Sequence, residues 1–329
     1  MQTRPLSAHA ALGAGRLRPR PLPPGGTIAV VSPASPVVVR QPLASAQRWL
    51  AELGYGVRFS AHFNWRRGYT AGTPEERAHD LEAAFADPDV DAVLCLCGGH
   101  GAAQLLRHLD YDLIAENPKP FVGFSDITVL HAAIGRESGL VTFWGPMFAQ
   151  LGTAADATRQ GMVSALTKIG PLGPVAPSEP SARTLVDGVA EGELVGGTLS
   201  LLSSLLGTPW EPDTAGKVLL IEDVGEEPCR VDRFLTHLLN AGKLDECAGI
   251  CLSEFTNCTQ RTVHTRWAGD SLTLDEVFAQ AIEPLGIPAI YGHPLGHGPR
   301  LATVPLGVRA RLDAGKGRLS LVEGALEEV

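Results

Sequence analysis

Phe121-Val122-Gly123-Phe124-Ser125-Asp126-Ile127-Thr128 is the stretch on which the fold turns. The apolar run 121–124 reads as a strand, Ser125 ends it, and residues 126–134 carry helical spacing, so a strand hands over to a helix within one residue. Working outward, the same alternation recurs. Thr27-Ile28-Ala29-Val30-Val31 is a β-branched run stopped by Ser32-Pro33, the pattern of a buried strand. Residues 41–53 space Leu43, Ala46, Leu50 and Leu53 along one helix face, with Gly54 at the expected C-terminal cap. A short strand is expected at 57–59. A helix is expected at 74–85, with Thr73 as N-cap and Pro74 at the first helical position. An apolar strand at 91–97 enters the turn Gly98-Gly99-His100-Gly101, a helix is expected at 102–109, and 141–144 adds a further strand. Strands and helices in this order predict an α/β domain built on a mostly parallel sheet.

Residues 170–181 contain Pro171, Pro174, Pro177 and Pro180 and have little to bury, which makes them a linker. The predicted boundaries are a loose tail at 1–21, an N-terminal domain at 22–169, a linker at 170–183 and a C-terminal domain at 184–329. In the last, strand hairpins are expected within 184–195, helices at 199–206 and 231–241, and strands at 217–221 and 250–255, a mixed α/β arrangement. Arg4, Arg16, Arg18 and Arg20 give the tail a targeting-like charge, but it lacks the ~7 to 15 apolar residues in a row of a secretory signal.

The 329 residues are 44% hydrophobic and 19% charged, which suits a globular chain of about two domains. Acidic residues outnumber basic ones, 36 to 27, and no Lys/Arg-rich run offers a footprint for nucleic acid. No apolar run reaches the ~18 residues of a membrane span. The cysteines, Cys95, Cys97, Cys229, Cys247, Cys251 and Cys258, are sparse and lack paired C-x-x-C spacing, so they read as free thiols of a reducing compartment, with no zinc site.

Four places bear chemistry, each with two open readings. Ser125 at a strand–helix junction resembles a nucleophile elbow, although Ile127 stands where G-x-S-x-G needs its last Gly; otherwise it is an N-cap. The glycine turn 98–101 is an anion cradle or a tight structural turn; it lacks the Lys of a P-loop. Glu222 and Asp223, with Glu226 nearby, follow an apolar strand and would orient a base or face water. His293 and His297 lie in a glycine-rich loop, where one is a general base or both are solvated; as a metal pair they lack a third ligand.

Taken in order, these segments resemble the LD-carboxypeptidase family of serine peptidases, which also contains the microcin C immunity proteins. The resemblance runs from Pro24-Gly25-Gly26-Thr27-Ile28-Ala29 through Gly98-Gly99, Gly123-Phe124-Ser125-Asp126-Ile127-Thr128, Gly196-Gly197-Thr198-Leu199-Ser200 and Leu206-Gly207-Thr208-Pro209. It continues to Glu222-Asp223, Val231-Asp232-Arg233 and Gly296-His297, covering nearly everything from about residue 22 onward. It implies an N-terminal Rossmann-like domain carrying Ser125, a C-terminal mixed domain carrying Glu222 and His297, and a site between them. The motif match selects His297 over His293 and Glu222 over Asp223 or Glu226. Backbone N–H groups of Gly99 and Asp126 are the expected oxyanion hole. No cofactor and no metal are implied.

The resemblance further implies a cytoplasmic homodimer that removes terminal D-Ala from a murein tetrapeptide at an L,D-amide bond. Two alternatives stand beside it: hydrolysis of a peptidyl or aminoacyl nucleotide, and a non-catalytic ligand-binding protein on the same scaffold. Where the family carries Arg-Gly-Gly-Tyr-Gly, this chain has Cys97 for the Arg and His100 for the Tyr, and Thr198 follows Gly-Gly in place of Asn. The guanidinium that would grip a carboxylate with two bonds is therefore missing at position 97.

Overall fold

The computed structural model describes residues 16–37, 41–176, 182–260 and 271–328. The apolar runs of the first half become β1 (Thr27–Val31), β2 (Gly56–Phe59), β3 (Ala92–Cys95), β4 (Phe121–Gly123) and β5 (Thr142–Trp144). The second half supplies β6 (Pro171–Pro174), β7 (Arg183–Val186), β8 (Val189–Thr198), β9 (Val218–Val224) and β10 (Gly249–Thr256). It ends with β11 (Ala289–His293), β12 (Val304–Leu306), β13 (Arg309–Asp313) and β14 (Arg318–Gly324). The chain divides into two units, the first made of Met1–Pro171, Thr303–Gly307 and Gly324–Val329, the second of Leu172–Ala302 and Val308–Glu323.

In the first unit β2, β1, β3, β4 and β5 lie side by side in that order, all parallel, as the alternating pattern predicts. Strand order reverses between β1 and β3, and doubly wound sheets commonly hold ligands outside the carboxyl ends of the strands at such a switch point. β1 coincides with its predicted run because four of its five residues are buried on both faces, which leaves no polar face to blur its limits. Helix Pro74–Ala86 begins at a capping box: Thr73 accepts from the Glu76 N–H, Glu76 accepts from the Thr73 N–H, and Pro74 needs no donor there. Gly54 closes helix Gln41–Glu52 at φ +89°, a backbone state that favours glycine.

Three expectations need correction here. The run 102–109 is only a 3₁₀ turn, Ala102–Leu105, because Asp110 caps a separate helix, Tyr111–Glu116, by accepting the Leu113 N–H at 3.2 Å. The last residues do not all belong to the C-terminal domain. The apolar triplet of β12 pairs antiparallel with β5 and covers the edge of the first sheet. Of the tail 1–21, residues 1–15 lie outside the described residues, whereas Leu17 exchanges backbone bonds with Gly139 and Val141 and is therefore tied down.

In the second unit the order is β6-β14-β13-β8-β9-β10-β11-β7. Its centre, β8 to β11, is parallel, and β13 and β7 pair antiparallel on either side. The expected hairpins in 184–195 do not form. β7 joins β11 and β8 joins β9 and β13, since long-range partners bury more apolar surface than a local hairpin. The linker is narrower than predicted: β6 occupies 171–174, and residues 177–181 lie outside the described residues. The core sets Leu199, Leu202, Val231, Leu235, Val277 and Phe278 of three helices against Leu219, Ile221, Ile250 and Leu252 of the sheet.

His131 ties the first sheet to the helix Thr128–Glu137. Its Nε2–H donates to the Gly123 carbonyl at 2.9 Å, which makes Nδ1 the acceptor for the Thr142 hydroxyl at 2.9 Å. Burial lowers its pKa to about 4, so the ring is neutral in the fold. The unfolded chain, with a histidine pKa near ~6.5, binds the proton first, and stability present at neutral pH is lost as pH falls from about 6.5 toward 4. The expected loss is about 3 kcal/mol, read from urea midpoints, and His131→Leu should flatten that slope whatever it does to the midpoint at pH 7.

Candidate active site

Ser125 has φ +60°, a left-handed backbone that a non-glycine residue adopts at a cost on the order of 1–3 kcal/mol. Its neighbours impose it. A Cβ on Gly123 would sit 2.8 Å from the Ile127 side chain, so glycine lets the helix start close over the strand end. The Thr128 hydroxyl donates to the Ser125 carbonyl at 2.7 Å. Neither the 3₁₀ turn Ser125–Ile127 nor the helix Thr128–Glu137 begins with a side-chain cap bond, so the N-cap reading of Ser125 does not hold.

The glycine turn lies against this elbow. A Cβ on Gly98 would come within 3.0 Å of the Ser125 Cβ and 3.2 Å of its Oγ. Gly99 and Gly101 both have φ +110°. The Ser35 hydroxyl accepts the His100 N–H at 3.0 Å and donates to the Tyr69 carbonyl at 2.8 Å. Asp126, buried beside Ser125, accepts the Ala102 N–H at 2.8 Å, which ties the exit of the turn to the elbow; burial raises its carboxyl above the usual range. The guanidinium of Arg77, fully enclosed, donates to the carbonyls of Pro33 and Gly101 at 2.5 and 2.9 Å and to Gln104 Oε1 at 2.6 Å. The loops after β1 and β3 are thus held by side chains that no sequence motif singles out. The Cys97 thiol donates to the Ser35 carbonyl at 2.9 Å, and burial pushes its pKa up to about 12, so it stays a neutral thiol.

In the second unit Glu222 and His297, 75 residues apart, meet: His297 Nδ1 is 2.7 Å from Glu222 Oε2. The Glu222 side chain is wholly buried and that of His297 is 18% exposed, so the ring alone reaches outward. The Thr198 hydroxyl donates to the other oxygen, Oε1, at 2.5 Å. Thr198 stands opposite Glu222 in the β8–β9 register. That approach depends on Gly196, at φ +133°, where a Cβ would fall 1.9 Å from the Leu220 carbonyl oxygen. The water-facing reading of these acids is therefore wrong.

The rival acids are engaged elsewhere, and the rival histidine is buried at a strand end. Asp223, also buried, accepts the N–H groups of Ser200 and Val224 at 2.8 and 2.7 Å and so caps the helix Leu199–Ser204. Glu226 pairs with Arg230. His293 ends β11 rather than lying in the loop; it is buried, its Nδ1 has no partner among the described residues, and burial lowers its pKa to about 4. The six cysteines are free. No group of three or more metal-ligating side chains occurs among the described residues. No helix among them is long and apolar enough to cross a membrane.

Residues 28–145 match the family model for the LD-carboxypeptidase N-terminal domain, and residues 191–312 match that for the C-terminal domain. The chain is 40% identical to the probable murein peptide carboxypeptidase of Bacillus subtilis, with 94% of this chain and 96% of the relative covered. The crystal structure of muramoyltetrapeptide carboxypeptidase from Oxalobacter formigenes superposes with a TM-score of 0.77 at 31% identity, covering 92% of this chain and 100% of that one. The microcin C7 self-immunity protein MccF, known from Escherichia coli, in complex with aspartyl sulfamoyl adenosine gives a TM-score of 0.83 at 26% identity, covering 94% and 100%. On both domain matches and on this identity over nearly its whole length, the chain belongs to the LD-carboxypeptidase family of peptidases.

Proposed function

We propose that this chain is a serine carboxypeptidase that cuts an L,D-amide bond of a murein tetrapeptide and releases the terminal D-Ala. The observation that carries the reading is the Glu222–His297 pair, with its carboxylate buried and braced by Thr198. A carboxylate at Nδ1 keeps the proton there and leaves the Nε2 lone pair outward, the tautomer a general base needs. Ser125, raised on its strained elbow, is the nucleophile. His297 takes its proton as Oγ attacks the amide carbonyl. It then gives that proton to the leaving amine as the C–N bond breaks, a role typically worth roughly 10²–10⁴ in rate. Water hydrolyses the acyl-enzyme by the same proton path in reverse order.

Gly99 and Asp126 supply the oxyanion donors. Neither N–H is bonded within the described residues, and the two peptides flank the contact between Gly98 and Ser125. The cytoplasmic homodimer implied by the resemblance stays part of this proposal.

A second reading, hydrolysis of an aminoacyl nucleotide, draws on the fold similarity to the immunity protein, whose TM-score exceeds that of the Oxalobacter enzyme. The two separate on incubation of the protein and of its Ser125→Ala variant with murein tetrapeptide and with aspartyl sulfamoyl adenosine, followed by product masses. D-Ala released by the unaltered protein alone supports the first reading. Cleavage of the nucleotide only supports the second, and turnover of neither removes both.

A further inference from the structure

Sequence motifs pass over Glu254, yet it sits at an irregular point of the second sheet, across from Glu222. The β10–β9 register runs from Leu252 opposite Ile221 to Phe255 opposite Asp223, so Ser253 and Glu254 together face the single residue Glu222. Two residues against one is a β-bulge, which bends a strand and re-aims its side chains. The β10–β11 register shifts at the same place, between Leu252 and Ser253.

Both bulge residues are spent on the segment that carries His297. The Ser253 hydroxyl donates to the His293 carbonyl and accepts the Leu295 N–H, the latter at 3.0 Å. Glu254 Oε2 accepts the N–H groups of Gly296 and Gly298 at 3.3 and 3.1 Å, the residues immediately before and after His297. The glycines are required by this seat. A Cβ on Gly298 would fall 2.1 Å from Glu254 Oε1, and one on Gly296 would be 3.0 Å from the Glu254 Cβ and 3.1 Å from Glu222 Oε2. The motif Gly-His-Gly is thus explained by a carboxylate beneath it.

We infer that Glu254 is a positioning residue for His297: its carboxylate clamps the peptides on both sides of that residue and so sets the ring on Glu222. The inference rests on the role proposed for His297, because the clamp touches backbone and no reacting atom. Charge-assisted N–H···O⁻ bonds are about twice as strong as neutral ones. A clamp made of two of them, braced by the Ser253 bonds, restricts the loop far more than a solvated turn does.

The test compares the full-length protein with Glu254→Ala, Glu254→Gln and Gly298→Ala. Two readouts are taken: the downfield proton resonance of the His297 Nδ1–H bonded to Glu222, and kcat and KM on whichever substrate the protein turns over. Glu254→Ala is expected to lose the resonance and to lower kcat by about 10²-fold with KM little changed, the usual penalty for a misplaced group. Glu254→Gln, which keeps one oxygen acceptor, should retain the resonance and recover most of the rate. Gly298→Ala, which lifts the same loop off the same carboxylate, should behave like Glu254→Ala and serves in its place if that variant does not fold. Retention of both resonance and kcat in Glu254→Ala or in Gly298→Ala overturns the inference. Absence of turnover by the unaltered protein would sink the proposed activity, while the resonance comparison would still decide the role of Glu254.

Discussion

Replacing Ser125 with alanine is expected to lower turnover by roughly 10⁴- to 10⁶-fold, the scale on which loss of a nucleophile acts when its base and carboxylate remain. Substrate affinity should change little, because the hydroxyl is needed for bond formation rather than for holding the ligand. The fold should also survive. Alanine keeps the Cβ that Gly98 accommodates, and the φ of +60° is imposed by backbone and neighbours common to both residues. Isothermal titration with tetrapeptide, alongside a mass-resolved assay for D-Ala, measures both parts. A variant that still turns over within tenfold of the unaltered protein would remove Ser125 from the mechanism. A variant that binds nothing would instead point to a role in structure.

Glu222→Gln comes second, with an expected fall of roughly 10⁴-fold, the effect known when a triad carboxylate becomes an amide. The geometry gives the reason. The Thr198 hydroxyl donates to Oε1 and His297 Nδ1 faces Oε2. Glutamine that keeps its carbonyl on Thr198 turns its NH₂ toward the ring, which forces Nδ1 to accept and moves the ring proton to Nε2. That nitrogen then has no lone pair for the Ser125 proton. The negative charge that would steady the imidazolium is lost as well. Rate measurements across pH on a refolded, monodisperse variant check this, and a loss below tenfold would mean that the pair orients nothing catalytic.

The local part of the fold was legible because its causes are local. The strand Thr27–Val31, the Thr73 capping box and the Gly54 terminus arise from residues within a turn or two of each other. The candidate site was legible in a different way. Ser125 stood out at its junction, but Glu222 and His297 were singled out by motif resemblance, since spacing alone left two histidines and three acids in contention.

By itself, then, the sequence determined the alternation of strands and helices, the parallel first sheet, the strand–helix junction at Ser125 and the resemblance to a peptidase family. Tertiary structure alone decided that Glu222 takes His297 while His293 is buried at a strand end, that β7 and β8 find distant partners, and that β12 returns to the first sheet. It alone put Glu254 beneath the Gly-His-Gly loop. The physical reason is the range of the interactions: periodicity and caps register what a residue does to its neighbours along the chain. The pairing of a buried carboxylate with one imidazole depends on strand order and on a bulge, which exist only once long-range contacts have formed.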